Sequence, residues 1–202
     1  MFQKKPITIG RFKPLSTPAV FIDRDGTLII EREYLSDPSL VKLERNALSG
    51  VSLLAALKIP LVVVTNQSGI GRGYFKRADA EAVNRRVAEL YRIKGVEFGG
   101  WYVCPHSPND GCDCRKPKIG MAQVAKGDLD IDLARSVVIG DNRSDVEFAV
   151  NMGGRGVLVL TGHGKKHEDW ALSAGYAVCA DLFEAAKLVA CWLSDARCGL
   201  RE

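Results

Sequence analysis

The sequence predicts an α/β fold, a Rossmann-like, doubly wound and mainly parallel sheet with helices on its faces. Three observations predict it. Short apolar runs alternate with helical stretches along the chain, the pattern of strand–helix–strand units. Runs such as "PLVVVT" (60–65) and "SVVIG" (136–140) are apolar without alternation, as expected of parallel strands covered on both faces. Polar clusters follow directly on three strands: "DRDGT", "TNQSG" and "GDNRSD". In open sheets of this kind ligands gather at the carboxyl ends of the strands.

The elements follow in order. "AVFI" (19–22) reads as a first strand that breaks at Asp23. Residues 47–58 carry Leu48, Val51, Leu54 and Leu57 at helical spacing. After the strand at 60–65, a helix over 76–94 sets Val83, Val87, Leu90 and Tyr91 on one side. "GWYVC" (100–104) is a short strand, and "GMAQVAK" begins another helix. The strand at 136–140 leads into "SDVEFAVNMG", a helix closed by Gly153. "GVLVL" (156–160) is a further strand, and a final helix covers about 182–194. Residues 1–18 are expected to form an N-terminal extension, 19–195 one domain and 196–202 a C-terminal tail. The gap from 27 to 47 is too short for a separate cap domain, and 66–100 is mostly one loop and helix. The loops 31–38, 67–75 and 105–115 are therefore expected to cover the site.

Composition narrows the function classes. The 202 residues are 47% hydrophobic and 26% charged, the balance of a globular domain. The net charge of +4 comes without a long Lys or Arg run, so neither nucleic acid nor membrane is expected as a partner. No run of 18 apolar residues is present, and the opening "MFQKKPITIGRFKPLSTP" lacks the apolar stretch of a secretory signal. A cytoplasmic monomer acting on a small anionic molecule is the expectation.

Asp23 and Asp25 end a buried strand two residues apart, and like charges this close each raise the cost of ionising the other. A divalent cation offsets that cost. With Asp141 at the same edge, three carboxylates offer hard oxygen ligands suited to Mg²⁺, which binds through few carboxylates plus substrate phosphate. One carboxylate can then act as nucleophile and another as proton donor to a leaving alkoxide. Thr65, with nearby backbone N–H groups, is placed to hold phosphoryl oxygens, and Lys116 to neutralise their charge. A lone D-x-D is equally well a solvated turn, but three such clusters at strand ends point to a site.

The six cysteines are unevenly spread: Cys104, Cys112 and Cys114 crowd together with His106 in "CPHSPNDGCDCRKP". Three thiolates and one imidazole suit a closed tetrahedral Zn²⁺ site. The prolines and the turn-like "NDG" leave this loop without a core of its own. A structural zinc would order it and present Arg115 and Lys116 from the next two positions. "GHGKK" (162–166) and Trp170 belong either to the edge of the site or to the closing surface.

The four segments "DRDGT", "TNQSG", the lysine of "CRKP" and "GDNRSD" resemble the four motifs of the haloacid dehalogenase-like phosphatases, in that family's order from about Ala19 to Leu160. The resemblance implies that Asp23 is the nucleophile forming an aspartyl-phosphate. It makes Asp25 the general acid and later base, and gives the Asp25 carbonyl to Mg²⁺ beside the carboxylates of Asp23 and Asp141. Asp145 then either supports the metal, orients Lys116, or is simply an acid in the first turn of a helix. The zinc loop, "TNQSGIGRGYF" and "EYLSDP" are similar to the zinc-containing branch, which acts on heptose bisphosphate or histidinol phosphate. The sugar is the favoured substrate and histidinol phosphate the alternative. Glu33 and Asn142 depart from that branch's usual glycine and lysine. Glu31, Arg32, Glu33, Tyr34, Asn66, Gln67, Ser68 and Asn142 are the expected contacts to the substrate body, and Arg115 to a second phosphate, through its planar fork.

Overall fold

The computed structural model describes residues 16–193. Its elements run β1 (Val20–Ile22), α1 (Ala47–Ala55), β2 (Leu61–Asn66), α2 (Ser68–Gly71), α3 (Arg77–Arg92) and β3 (Gly100–Cys104). Then follow α4 (Gly120–Leu129), β4 (Val137–Gly140), α5 (Arg143–Asn151), β5 (Arg155–Val159), α6 (Glu168–Ser173), β6 (Ala177–Cys179) and α7 (Leu182–Leu193). All six strands are parallel, in the order β3-β2-β1-β4-β5-β6. The chain winds outward from β1 to β3, then returns to lay β4 against the other side of β1. That reversal opens a crevice above β1 and β4, the topological switch point where doubly wound sheets bind ligands.

Successive strand residues face opposite sides, and the core divides accordingly. Val20 and Ile22 of β1 join Val63, Ile139 and Val157 beneath α1, α3 and α7. Ala19 and Phe21 face the other way, with Val62, Val64 and Val138, beneath α4 and α5. Both faces are apolar, which is why β2 and β4 read as unbroken hydrophobic runs.

The predicted strands and helices lie within a few residues of the observed ones. Three short elements add to them: β6, α2 and α6. Between β1 and α1 lies only the 3-10 turn Pro38–Leu40, and between β2 and α3 only α2, so no second folding unit is inserted among the described residues. Most of the expected N-terminal extension, and the tail at 196–202, lie outside them. Thr17, within the expected extension, already bridges to Ile131.

Candidate active site

The site is assembled at the switch point. Asp23 follows β1 directly, its N–H donating to the Ile139 carbonyl at 2.9 Å, and Asp141 follows β4. Gly26 has φ +75°, the left-handed region. A side chain there would also strike Asp141, since a Cβ would lie 2.1 Å from Oδ2. The turn after Asp25 can therefore close only on glycine. Across from it the 161–164 segment locks on: the Thr161 hydroxyl donates to the Gly26 carbonyl at 2.6 Å, and the His163 N–H donates to Asp141 Oδ2 at 2.6 Å.

Lys116 is the centre of charge. It is 4% exposed, with Nζ 2.5 Å from Asp23 Oδ1, 2.6 Å from Asp145 Oδ1 and 2.9 Å from the Val64 carbonyl. Burial opposes its charge, but Asp145 and Asp23 outweigh that and raise its pKa above the usual lysine value. Two backbone bonds fix its position: Asn66 Nδ2 donates to the Lys116 carbonyl at 3.2 Å, and the Lys116 N–H donates to Asn66 Oδ1 at 3.1 Å.

Asp145 holds two posts at once. Its Oδ2 accepts from the Asn142 N–H at 3.0 Å while Asn142 Oδ1 accepts from the Ser144 N–H at 3.0 Å, a capping box that starts α5. Its Oδ1 faces Lys116.

One lysine does not balance this cluster. Asp23, Asp141 and Asp145 are all buried, with ligand oxygens within 4.8 Å of one another. Burial, only partly countered by Lys116, pushes the Asp23 carboxyl up to about 7. Burial and the neighbouring Asp23 and Asp145 push Asp141 up to about 9. Asp145 Oδ1 is a buried acceptor without an aligned hydrogen bond, its approach to Lys116 being an ion pair. Crowded buried carboxylates with a single ammonium among them fit a hard divalent cation.

The Asp25 side chain turns to the opposite wall. Gln67 Nε2 donates to Asp25 Oδ2 and to Thr65 Oγ1, each at 2.8 Å. Above these groups opens a cavity of about 520 Å³. Every expected catalytic and substrate-contact residue lines it: Asp23, Asp25, Glu31, Arg32, Glu33, Tyr34, Thr65, Asn66, Gln67, Ser68, Arg115, Lys116, Asp141, Asn142 and Asp145. Asn66 and Asn142, expected as substrate contacts, spend amide groups on the Lys116 backbone and the α5 cap. Glu31 on the rim is pushed up to about 7 by burial and by Asp25. Tyr34, in the left-handed region at φ 55°, packs edge-on against Tyr74 with ring centroids 4.7 Å apart.

Sequence reasoning missed Arg24 and Ser144, which also line the cavity, as does His163. His163 puts the "GHGKK" segment at the edge of the site. Trp170 packs away from the site against Tyr176 and Arg143.

Beside Lys116, Cys104, His106, Cys112 and Cys114 bring their ligand atoms within 4.8 Å of one another. Thiolates about 2.3 Å from a tetrahedral zinc lie about 3.8 Å apart. The three sulfur–sulfur separations here are 3.2, 3.6 and 3.6 Å, and His106 Nδ1 lies 3.2 Å from Cys114 Sγ. The donor set and its spacing fit zinc.

Comparison with known proteins adds independent findings. The profile of the HAD-hydrolase-like family matches residues 113–185. D-glycero-beta-D-manno-heptose-1,7-bisphosphate 7-phosphatase of Escherichia coli K12 is 36% identical over 186 residues, covering 85% of this chain and 95% of the relative. The histidine biosynthesis bifunctional protein HisB of Actinobacillus pleuropneumoniae is 38% identical over 165 residues, but the chain spans only 43% of it. The crystal structure of D,D-heptose 1,7-bisphosphate phosphatase from B. bronchiseptica, complexed with magnesium and phosphate, superposes with a TM-score of 0.80 at 31% identity. That match covers 86% of this chain and 98% of the other.

Proposed function

The chain belongs to the haloacid dehalogenase-like phosphatases, and from that premise we propose that it removes the 7-phosphate of a D-glycero-D-manno-heptose 1,7-bisphosphate. It is a phosphoric monoester hydrolase acting on a small-molecule phosphate ester. The observation that carries the reading is the buried Asp23–Lys116–Asp145 contact at the floor of a cavity with room for a phosphorylated sugar.

In this reading the Asp23 carboxylate attacks phosphorus and forms an aspartyl-phosphate as the ester P–O bond breaks. Asp25 gives a proton to the departing alkoxide, then takes one from the water that cleaves the aspartyl-phosphate. Thr65 and Lys116 stabilise the phosphoryl oxygens as charge builds on them. Asp23 and Asp141, with the Asp25 carbonyl and with Asp145 close by, would hold Mg²⁺. When bound, that cation neutralises phosphate charge as a Lewis acid. Cys104, His106, Cys112 and Cys114 would hold a structural Zn²⁺ that keeps Arg115 and Lys116 in register. Glu31 to Tyr34, Gln67 and Ser68 take the sugar hydroxyls. Arg115, whose Nη1 donates to the His106 carbonyl at 3.4 Å, takes the second phosphate. The mild net charge of +4, without a long basic run, supports a small-molecule partner rather than nucleic acid or membrane; a monomer in the cytoplasm is part of the same proposal. Among the described residues no helix is long and apolar enough to cross a membrane.

Histidinol phosphate is the competing substrate, and the acidic rim of Glu31 and Glu33 favours its cationic body. Phosphate release from both esters, with and without Mg²⁺, decides. The heptose bisphosphate should lead in kcat/KM by at least about tenfold, roughly 1.4 kcal/mol, and Arg115→Ala should narrow the gap. Equal rates, or a lead for histidinol phosphate, would remove the sugar assignment and leave only the phosphatase.

A further inference from the structure

The residue between the two aspartates of "DRDGT" is a buried cation paired with the second of them. Arg24 is 0% exposed, and the mechanism so far makes no use of it. Its Nε donates to Asp25 Oδ2 and its Nη2 to Asp25 Oδ1, both at 3.0 Å. The third corner of the guanidinium, Nη1, donates to Asn84 Oδ1 at 2.7 Å. Asn84 is carried by α3 and is itself only 8% exposed, so one helix distant in sequence holds the fork in place.

Burying an arginine is costly, and apolar residues of similar volume are often no worse for stability. What a guanidinium adds is geometry: a planar fork that engages both oxygens of a carboxylate fixes its plane. The bonding here is also unequal. Asp25 Oδ2 takes the Nε proton and the Gln67 amide at 2.8 Å, with the Thr65 hydroxyl at 3.4 Å. Asp25 Oδ1 takes a single hydrogen bond, from Nη2, which also lies 2.9 Å from Oδ2. A carboxylate oxygen has two lone pairs, so Oδ2 is saturated and Oδ1 keeps one free.

We propose that Arg24, tethered by Asn84, is a positioning residue that fixes the Asp25 carboxylate so that Oδ1 carries the transferable proton. The inference rests on the reading of Asp25 as proton donor. In the first half-reaction the phosphorus–alkoxide bond breaks and the Oδ1 proton passes to the alkoxide oxygen. In the second, attacking water returns a proton to Oδ1 as the aspartyl-phosphate is cleaved.

The test exploits the leaving group. An alkyl phosphate releases a strongly basic alkoxide and needs the proton, whereas p-nitrophenyl phosphate releases a stable phenolate and hardly does. kcat/KM, which covers the steps through departure of the leaving group, is measured for the best sugar phosphate and for p-nitrophenyl phosphate in Mg²⁺-loaded enzyme. Arg24→Lys keeps the charge and loses the fork, Asn84→Ala releases the tether, and Asp25→Asn is the reference. Arg24→Lys and Asn84→Ala should each lower the sugar-phosphate value by about tenfold or more while the aryl value stays within about threefold. A general loss of packing would lower both alike, and that result overturns the proposal, as does no change in either. Should Arg24→Lys fail to fold, Asn84→Ala, at the margin of the core, decides alone. If Asp25→Asn is selective against the sugar phosphate and the other two are not, the proton-donor reading stands and the positioning role falls. If Asp25→Asn is itself unselective, both fall.

Discussion

Replacing Lys116 by methionine keeps the length of the side chain and removes one charge from beneath three buried carboxylates. Lys116 contacts Asp23 at 2.5 Å and Asp145 at 2.6 Å, and its side chain is 2% exposed. Breaking a buried pair from one side costs about 3–5 kcal/mol, because the other charge is left without compensation. For a domain of this size that lowers Tm by about 6–20 °C. The loss also depends on pH, and its sign can be worked out. Asp23 and Asp141 already sit at about 7 and about 9, above the ordinary carboxyl value of 3.8. Groups with raised folded pKa values favour the folded state while neutral and penalise it as pH rises towards those values. Removing Lys116 takes away the influence that lowers Asp23, and each further tenfold rise in its proton affinity adds about 1.4 kcal/mol above that pH. The destabilisation should therefore be greater at pH 8 than at pH 5 by at least about 1 kcal/mol. Thermal unfolding followed by circular dichroism at both pH values, without added Mg²⁺, measures it. Turnover should fall about 10²- to 10³-fold, the usual effect of losing one preorganised donor. A variant that melts like the parent, or loses the same stability at both pH values, would refute the charge argument. Retained turnover would remove Lys116 from the chemistry.

Three further outcomes follow from the same geometry. Asp23→Asn should abolish phosphate release while the circular dichroism spectrum stays native, and near-normal turnover in the folded variant would exclude an aspartyl-phosphate. Elemental analysis should find about one zinc per chain; mercurial titration of the thiols should release it and inactivate the enzyme, and zinc-free protein with freely titratable thiols would contradict the site. Without Mg²⁺ the parent should lose stability as pH rises from about 4 to about 9, while added Mg²⁺ should bind more tightly at higher pH and release protons. Calorimetry in buffers of different ionisation enthalpy would show the release, and binding that takes up no part in proton exchange would count against carboxylate ligands.

The fold was legible because both faces of the sheet are covered. β2 and β4 are apolar throughout, and each ends abruptly in polar residues where the crevice begins. The metal-ligand candidates were legible for a related reason: Asp23 and Asp141 close buried strands, where a solvated role is hard to sustain. The cysteines stood out by local density. β6 did not, being three half-buried residues at the sheet edge, and α6 at six residues is too short to display a helical period. Arg24 was hidden for a different reason. An arginine in a turn reads as solvated, and its burial depends on Asn84, sixty positions further on, which no local pattern reports.

Asp145 shows why spacing inside the last motif carries more than one meaning. Read from the sequence, it was either support for the metal and Lys116 or an acid in the first turn of a helix. The structure puts one oxygen to each use: Oδ2 caps α5 and Oδ1 meets Lys116. An Asn142–Asp145 capping box therefore ties the start of a helix to the lysine that touches Asp23. The same lysine is bound through its backbone to Asn66 at the end of β2, and it stands two residues from Cys114 of the cysteine cluster. These segments meet at Lys116, Asp145 at its ammonium and Asn66 at its backbone, so a shift in any of them moves the charge beside Asp23. At an effective dielectric of about 20 two unit charges 4 Å apart interact by about 4 kcal/mol, and that energy weakens as the pair separates. Loosening the 104–114 loop should thus cost turnover through Lys116 even where the cavity wall, Asp23 and Asp141 stay in place.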